Sequence, residues 1–361
     1  MTTPPDDAEL ARRFRETSAS QVRAPLYAAL TAGIADDPSL YRLLAHAPPQ
    51  QQLPVLLLAC THALLLEQPD HELAQWYPNL TSHPRSPWDE ALLPTFEQFV
   101  TAHTGALADM LATRTTQTNE VGRCLLLVPA LGVLADECGP LAHLDVGTSG
   151  GLNLLCDRYC YRYTSDDGGA AERIVGAASP VRLEATTRGT LTIPGRLPAI
   201  AARLGVDADP IDVTDDGAAR WLEACIWPDQ RDRFLRLRAA IGIARSDPPE
   251  IVAGDAVSAL APAIQRIRHH GHPVVTNSWV LNYLSPKQRT AYVAELDRLG
   301  SNADLSWVFV ESPTMTPELP WPSGPGDEFR TVVAVARWRG GQRTVEQLAT
   351  CHPHGYWLHG H

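Results

Sequence analysis

Nowhere does the sequence carry an apolar run long enough to cross a bilayer. The two longest runs, 53–66 and 124–135, are interrupted by Pro54 and His62 and by Pro129, and both fall short of the roughly 18–20 residues that a span requires. They are expected to be buried helices, and no membrane is expected as a partner. No leader is expected either. The opening MTTPPDDAEL is polar and acidic, where a secretory signal needs a basic end followed by apolar residues, so a cytoplasmic location is expected. C-x-x-C does not occur, and the seven cysteines (60, 124, 138, 156, 160, 225, 351) are odd in number, which fits reduced thiols better than a disulfide framework. Cys156 and Cys160 stand one helical turn apart, but no second pair follows at zinc-site spacing, so structural thiols and no metal are expected. Positive charge is in deficit: 30 Lys+Arg against 41 Asp+Glu leaves −11. Such a chain has no electrostatic reason to bind a phosphate backbone, and nucleic acid is not expected as a partner. No nucleophile elbow is expected, there is no Walker lysine loop and no H-E-x-x-H, and hydrolase, kinase and zinc-protease readings are set aside.

What is present is an ordinary globular balance. Hydrophobic residues make up 44% and charged residues 20% of 361 positions, enough to bury a core, and the length suggests two domains or one large domain with an appendage. Residues 1–118 read as helices (7–17, 24–34, 39–45, 53–67, 88–113) joined by a Pro-, Asn- and Trp-rich loop at 75–88, with no glycine turn and no strand alternation. This part is expected to be a helical cap or lid. From 119 the character changes. A long apolar helix over 119–138, kinked at Pro129 and stopped at Gly139-Pro140, leads to a strand at 141–146, a glycine turn at 147–151 and helical spacing at 152–159. Residues 164–200 read as an insertion with a small hairpin (181–183 and 190–193). Strands are then expected at 202–207, 249–254, 273–280 and 305–311, alternating with helices over 218–244, 258–269 and 286–299. A terminal hairpin at 329–338 and 343–350 turns at Gly340-Gly341. Strands alternating with helices predict a doubly wound α/β domain over 119–361.

The stretch Asp145-Val146-Gly147-Thr148-Ser149-Gly150-Gly151-Leu152-Asn153 carries the chemistry. Gly147 lets the chain turn tightly as it leaves the strand, and the small residues at 149–151 let the backbone approach a ligand at a helix start. A dinucleotide fold would use G-x-G-x-x-G. Here the spacing is D-x-G-x-S-x-G, which resembles the first motif of S-adenosylmethionine (SAM) enzymes, D/E-x-G-x-G-x-G, with Ser149 in place of the middle glycine. Asp207, with Asp212 as second choice, ends the next strand, where a carboxylate can accept from both ribose hydroxyls. Asp255 and Ala256 follow the third strand, where the resemblance to SAM enzymes implies the adenine. Asn277, Ser278 and Trp279 end the fourth, beside the sulfonium, with Trp279 suited to face a cation. Each acid has a bland alternative as a turn residue or N-cap. The pair Asp157-Arg158 and the tryptophans at 221 and 227 are expected to be structural, as are Cys351 and the C-terminal His352, His354, His359 and His361.

Taken together, QTNEVGR (117–123), LDVGTSGGLNLLCDRY (144–159), GVDADPIDVTD (205–215), ACIWPDQ (224–230) and NSWVLNYL (277–284) resemble the bacterial domain-of-unknown-function 2332 family over nearly the whole chain. Its members look like class I SAM-dependent methyltransferases with an N-terminal helical extension. The resemblance implies a Rossmann-like class I methyltransferase sheet with a terminal antiparallel hairpin, and SAM as cofactor. It also implies that 117–123 lies over the cofactor, so that Asn119, Glu120 and Arg123 contact its carboxylate or ammonium, or the substrate. The expected cofactor contacts are therefore Asn119, Arg123, Asp145, Gly147, Thr148, Ser149, Gly151, Asn153, Asp207, Asp212, Asp255, Ala256, Asn277, Ser278 and Trp279. Glu120, Asn277 and Tyr283 are the candidate catalytic groups. The expected activity is methyl transfer to a small molecule by a monomer or homodimer. Alternatives are aminocarboxypropyl transfer or cyclisation of SAM, releasing methylthioadenosine, and a non-catalytic binding protein on the same scaffold.

Overall fold

The computed structural model describes residues 6–20, 23–166, 172–321 and 330–360. The chain divides into two compact units: residues 1–118 with 215–238, and residues 119–214 with 239–361. Among the described residues no helix is long and apolar enough to cross a membrane.

The first unit is helical. It holds α1 (Asp7–Ser20), α2 (Pro25–Ile34), α3 (Pro38–Tyr41), α4 (Pro54–Glu67), α5 (Leu92–Ala102) and α6 (Thr104–Thr113). Proline at the first turn of α2, α3 and α4 sets φ where the missing N–H costs nothing. Helix α4 is apolar on all sides and buried accordingly. Its His62 is fully buried between the Ala224 carbonyl and Asn79, and burial lowers it to about 4, so the ring is neutral.

The second unit begins with α7 (Cys124–Cys138), which ends on Gly139 at φ 80°. There follow β1 (Leu141–Val146), β2 (Cys160–Ser165), β3 (Arg173–Val175), β4 (Arg182–Arg188) and β5 (Ile200–Asp207). The chain returns to the first unit as α8 (Asp216–Ala224) and the start of α9 (Arg231–Ser246). This second segment was expected in the α/β domain. It joins the helices because Trp221 and Leu222 are buried there, the Trp221 indole donates to the Thr115 carbonyl, and Asp229 accepts from the Leu26 N–H. Pro228 separates the two helices, where one was expected. The second unit is completed by β6 (Ile251–Ala253), α10 (Leu260–Ile267), β7 (His272–Ser278), α11 (Pro286–Asn302), β8 (Leu305–Glu311), β9 (Thr331–Arg339), β10 (Gln342–Cys351) and β11 (Trp357–Gly360).

The result is a mixed α/β architecture on one eleven-stranded sheet, ordered β3-β2-β4-β11-β10-β9-β8-β7-β1-β5-β6. The run β6-β5-β1-β7-β8 is parallel throughout. β9 is antiparallel to β8 and pairs with β10 across Gly340-Gly341. After β1 the chain builds β2–β4 at the far edge, returns to β5 on one side of β1, and later crosses to β7 on the other. The order therefore reverses between β1 and β7. Both β1 and β8 are buried along their whole length, as parallel central strands require. Helix α10 turns Leu260, Ala263, Ile264 and Ile267 to the core, and α11 contributes Tyr292, Val293 and Leu296. At Gly300 a Cβ would lie 2.2 Å from Trp338 Cγ, so glycine sets how closely α11 approaches the sheet.

Two local expectations change. Residues 152–158 form a 3-10 turn instead of an α-helix, because Gly151 at its start is left-handed and Leu155 departs from helical angles. The hairpin expected within 164–200 does not form. β4 instead pairs in parallel with β2 and β11, and so joins the insertion to the main sheet. Residue 329, the expected start of the terminal hairpin, and most of the acidic loop 165–172 lie outside the described residues.

Candidate functional site

Residues 147–151 turn the chain sharply away from the end of β1. Gly147 has φ 71°, and a Cβ there would lie 2.4 Å from Val280 Cγ2. Ser149 is left-handed at φ 53°, a conformation that costs a side-chain-bearing residue about 1–2 kcal/mol. Flanking bonds hold it: its N–H donates to Asp207 Oδ2 at 2.7 Å, and its carbonyl accepts from the Ile211 N–H at 3.3 Å. Asn119 spans the other side, with Oδ1 accepting from the Gly150 N–H (3.1 Å) and the Leu152 N–H (3.2 Å). The turn donors expected to face a ligand are thus engaged by Asp207 and Asn119. Asn119 acts on the backbone of the turn.

Residues 147–151 also satisfy the G-x-S-x-G spacing of a serine nucleophile elbow, so setting a hydrolase aside on sequence alone needs correction. Structure supplies the better reason. The N–H after the serine, which would form the oxyanion hole of such an elbow, already donates to Asn119. His143, the imidazole nearest in sequence, is committed to Thr276.

Beneath the turn, Asp145 accepts from Thr276 Oγ1 at 2.5 Å, and Thr276 lies 2.9 Å from His143 Nε2. A hydroxyl has one proton to give. With that proton on ionised Asp145, His143 must donate through Nε2. Desolvation pushes the Asp145 carboxyl up to about 6, against the Thr276 bond, with Asp207 adding to the rise and Arg123 opposing it. Burial drives His143 down to about 3.

The ends of β7 and β8 form the second half of the site. Asn277 is fully buried; its amide donates to Glu311 Oε1 at 2.7 Å, and its carbonyl accepts from the Trp307 indole at 2.5 Å. Glu311, at the carboxyl end of β8, is also fully buried. Its Oε1 accepts from the N–H groups of Val280 and Leu281 as well, while Oε2 has no hydrogen-bond partner among the described residues. Desolvation raises this carboxyl to about 7, against those bonds and Arg123. Trp279 is left-handed at φ 57°, and its indole N–H is buried without a partner among the described residues. The Ser278 carbonyl accepts from Arg123 Nη1 at 2.7 Å, and Arg123 Nε donates to the Pro353 carbonyl at 3.2 Å. Glu120 is buried, with Oε1 taking the Gly122 N–H and Oε2 lying 3.4 Å from His354 Nδ1.

Several expected residues stand apart from this cluster. Asp212 is exposed and closes its own turn on Thr214; Asp255 is exposed and accepts from the N–H groups of Val257 and Ser258. These are the bland roles open to an aspartate. Ala256 packs against the core cluster, and Asn153 is buried with Oδ1 3.4 Å from Cys124 Sγ. Thr148 is buried, its methyl set where a Cβ on Gly205 would be. Tyr283 is 81% exposed, which does not suit a group enclosed with substrate. Asp157 and Arg158 take the structural role expected, pairing with Arg203 and Asp247. The seven cysteines are free. Among the described residues no cluster suits a metal, and His361 lies outside them. Glu311, Thr276 and the Glu120–His354 pair were not anticipated; the signal for Glu311 was an acid directly after the apolar run Trp307–Val310.

The family model of uncharacterized proteins conserved in bacteria (DUF2332) matches residues 9–359. No curated protein and no solved structure matches the chain. The chain therefore belongs to the DUF2332 family.

Proposed function

We propose that this protein is a SAM-dependent methyltransferase acting on a small molecule, with the cofactor at the carboxyl ends of β5, β1, β7 and β8. The parallel order β6-β5-β1-β7-β8, reversing beside β1, with β9 antiparallel next to β8, supports a Rossmann-like methyltransferase sheet. Open α/β sheets bind ligands at such a reversal.

The observation that carries the reading is Oε2 of buried Glu311 at that place, which has no hydrogen-bond partner among the described residues. A buried carboxylate oxygen without a donor is costly, and an ammonium group would satisfy it. The surrounding charge agrees. Asp145, Glu120 and Glu311 are buried together with the single guanidinium of Arg123, which acts electrostatically on both Asp145 and Glu311. Such a site favours a ligand of net positive charge, and SAM, with sulfonium, ammonium and carboxylate, is one.

In this reading Glu311 takes the ammonium and Arg123 the carboxylate of the methionine part. Asp207, whose two oxygens each accept one backbone N–H, retains lone pairs for the ribose hydroxyls. Asn119 and Asp207 hold the turn in place, and the exposed Asp255 takes the adenine amino group. Trp279 offers its ring to the sulfonium. When bound, the cofactor supplies an electrophilic methyl carbon. What the protein adds is alignment and the exclusion of water.

The test is calorimetry with S-adenosylhomocysteine, then product analysis with labelled SAM and a pool of desalted small molecules. Binding is expected, and Asp207→Ala should weaken it at least tenfold, about 1.4 kcal/mol. Well-folded protein that takes up no S-adenosylhomocysteine would refute the reading. Methylthioadenosine as the product would redirect it to transfer of another SAM carbon.

A further inference from the structure

We propose that His354, whose Nδ1 lies 3.4 Å from Oε2 of buried Glu120, is the general base that takes the proton of the methyl acceptor. The proposal rests on the SAM reading above and adds the group that reading lacks.

The evidence is the way two distant segments meet. The loop between β10 and β11 lies on the turn at 120–123. A Cβ on Gly122 would be 2.5 Å from the His354 carbonyl oxygen, and one on Gly355 would be 2.1 Å from the Gly122 carbonyl oxygen. Two glycines, the second at φ 81°, thus let the backbones approach as no other residue would. That contact brings His354 Nδ1 to 3.4 Å from Glu120 Oε2. Arg123 ties the same loop to the end of β7, bonding both the Pro353 and Ser278 carbonyls. The imidazole is therefore seated beside the strand ends where the cofactor is proposed, and it remains about one-third exposed, accessible to an acceptor.

A carboxylate against one imidazole nitrogen orients the ring and stabilises the imidazolium, leaving the other nitrogen as the base. As the acceptor atom attacks, its bond to the methyl carbon forms and the sulfur–carbon bond breaks. The electron pair of that bond stays on sulfur, giving neutral S-adenosylhomocysteine. The acceptor's proton passes to His354 Nε2. The charged and titratable groups around His354 are Glu120 and Arg123 from the turn, with His352, Tyr356 and Cys351 from its own loop and strand. Asp145 and Glu311 lie beyond Arg123.

Carbethoxylation of the full-length protein by diethyl pyrocarbonate, read by mass spectrometry at each histidine, tests this without a known acceptor. The reagent attacks neutral imidazole, so its rate follows the environment of each ring. Glu120→Gln, which keeps an oxygen for the Gly122 N–H, should change the rate at His354 at least fivefold. Sinefungin, a SAM analogue with an amine at the position of the transferred methyl, should slow His354 at least fivefold and leave exposed His269 and His270 unchanged. Sinefungin that binds by calorimetry without altering His354, or a His354 rate indifferent to Glu120→Gln, would overturn the proposal. Failure of sinefungin to bind would instead sink the SAM reading, and this proposal with it. Once labelled SAM has identified an acceptor, His354→Ala should lower kcat about 10²-fold or more with KM for SAM unchanged. Wild-type turnover by that variant would also overturn it.

Discussion

Glu311→Gln should make the protein more stable at pH 8, although it alters a fully buried residue with three hydrogen bonds. Burial raises the Glu311 carboxyl from its ordinary 4.5 to about 7 despite bonds from Asn277, Val280 and Leu281 and the influence of Arg123. The folded state thus holds a proton that the unfolded chain releases near 4.5. Below that pH both states are protonated and the neutral acid contributes its full stability. As pH rises to about 7 the contribution is lost, because the unfolded state binds fewer protons than the folded. The interval is about two and a half pH units, and at ~1.4 kcal/mol per pH unit the loss is roughly 3 kcal/mol.

Glutamine keeps an oxygen for the same three donors and carries no charge to desolvate. The assay is urea unfolding of both proteins between pH 5 and 8, read as the difference between them. Taking the difference removes Asp145, whose carboxyl is also raised by burial and contributes a slope of the same sign. Glu311→Gln should match the wild type near pH 5 and exceed it increasingly toward pH 8. A difference that stays constant with pH, or a variant weaker at pH 8, would refute the account of this carboxylate. Saturating S-adenosylhomocysteine should narrow the gap, since an ammonium on Oε2 favours the ionised acid.

Three further substitutions address the turn. Asn119→Ala leaves the buried N–H groups of Gly150 and Leu152 without their acceptor and should cost about 2–4 kcal/mol in urea unfolding; Asn119→Asp keeps the acceptor and should lose much less. Ser149→Gly removes the left-handed strain at φ 53° but frees the unfolded chain, so stability should rise by no more than ~1 kcal/mol. Gly147→Ala drives a Cβ to 2.4 Å from Val280 Cγ2 at φ 71° and should cost about 2–3 kcal/mol. Adding Val280→Ala should restore the part due to the clash and leave the part due to φ, which a thermal melt of the double variant would separate.

What the sequence made legible is what neighbouring residues decide. β8 was expected at 305–311 and is found there, because the apolar run Trp307–Val310 between Ser306 and Glu311 fits a buried strand of a parallel sheet. The glycine turn and Asp207 at the end of β5 were legible for the same reason. The 3-10 turn after Gly151 was not, since helical spacing in 152–158 says nothing of the φ values that break it. Less legible still were groups whose roles depend on partners far along the chain. Asn119 was expected to meet a ligand, yet it serves the backbone of Gly150 and Leu152, more than thirty positions away. Glu311 looked like the polar end of a strand until Asn277 and Val280 gathered on one of its oxygens and left the other bare. Glu120 and His354 belong to opposite ends of the second unit and meet only where Gly122 and Gly355 let two backbones touch. The mirror test follows from that contact. If the glycines exist to seat the imidazole, Gly122→Ala, with its Cβ 2.5 Å from the His354 carbonyl oxygen, should force the loop off the turn. His354 should then react with diethyl pyrocarbonate as it does in Glu120→Gln, while Asp207-dependent binding of S-adenosylhomocysteine persists. Loss of both properties together would mean that the contact supports the whole site, and that its glycines say nothing particular about His354.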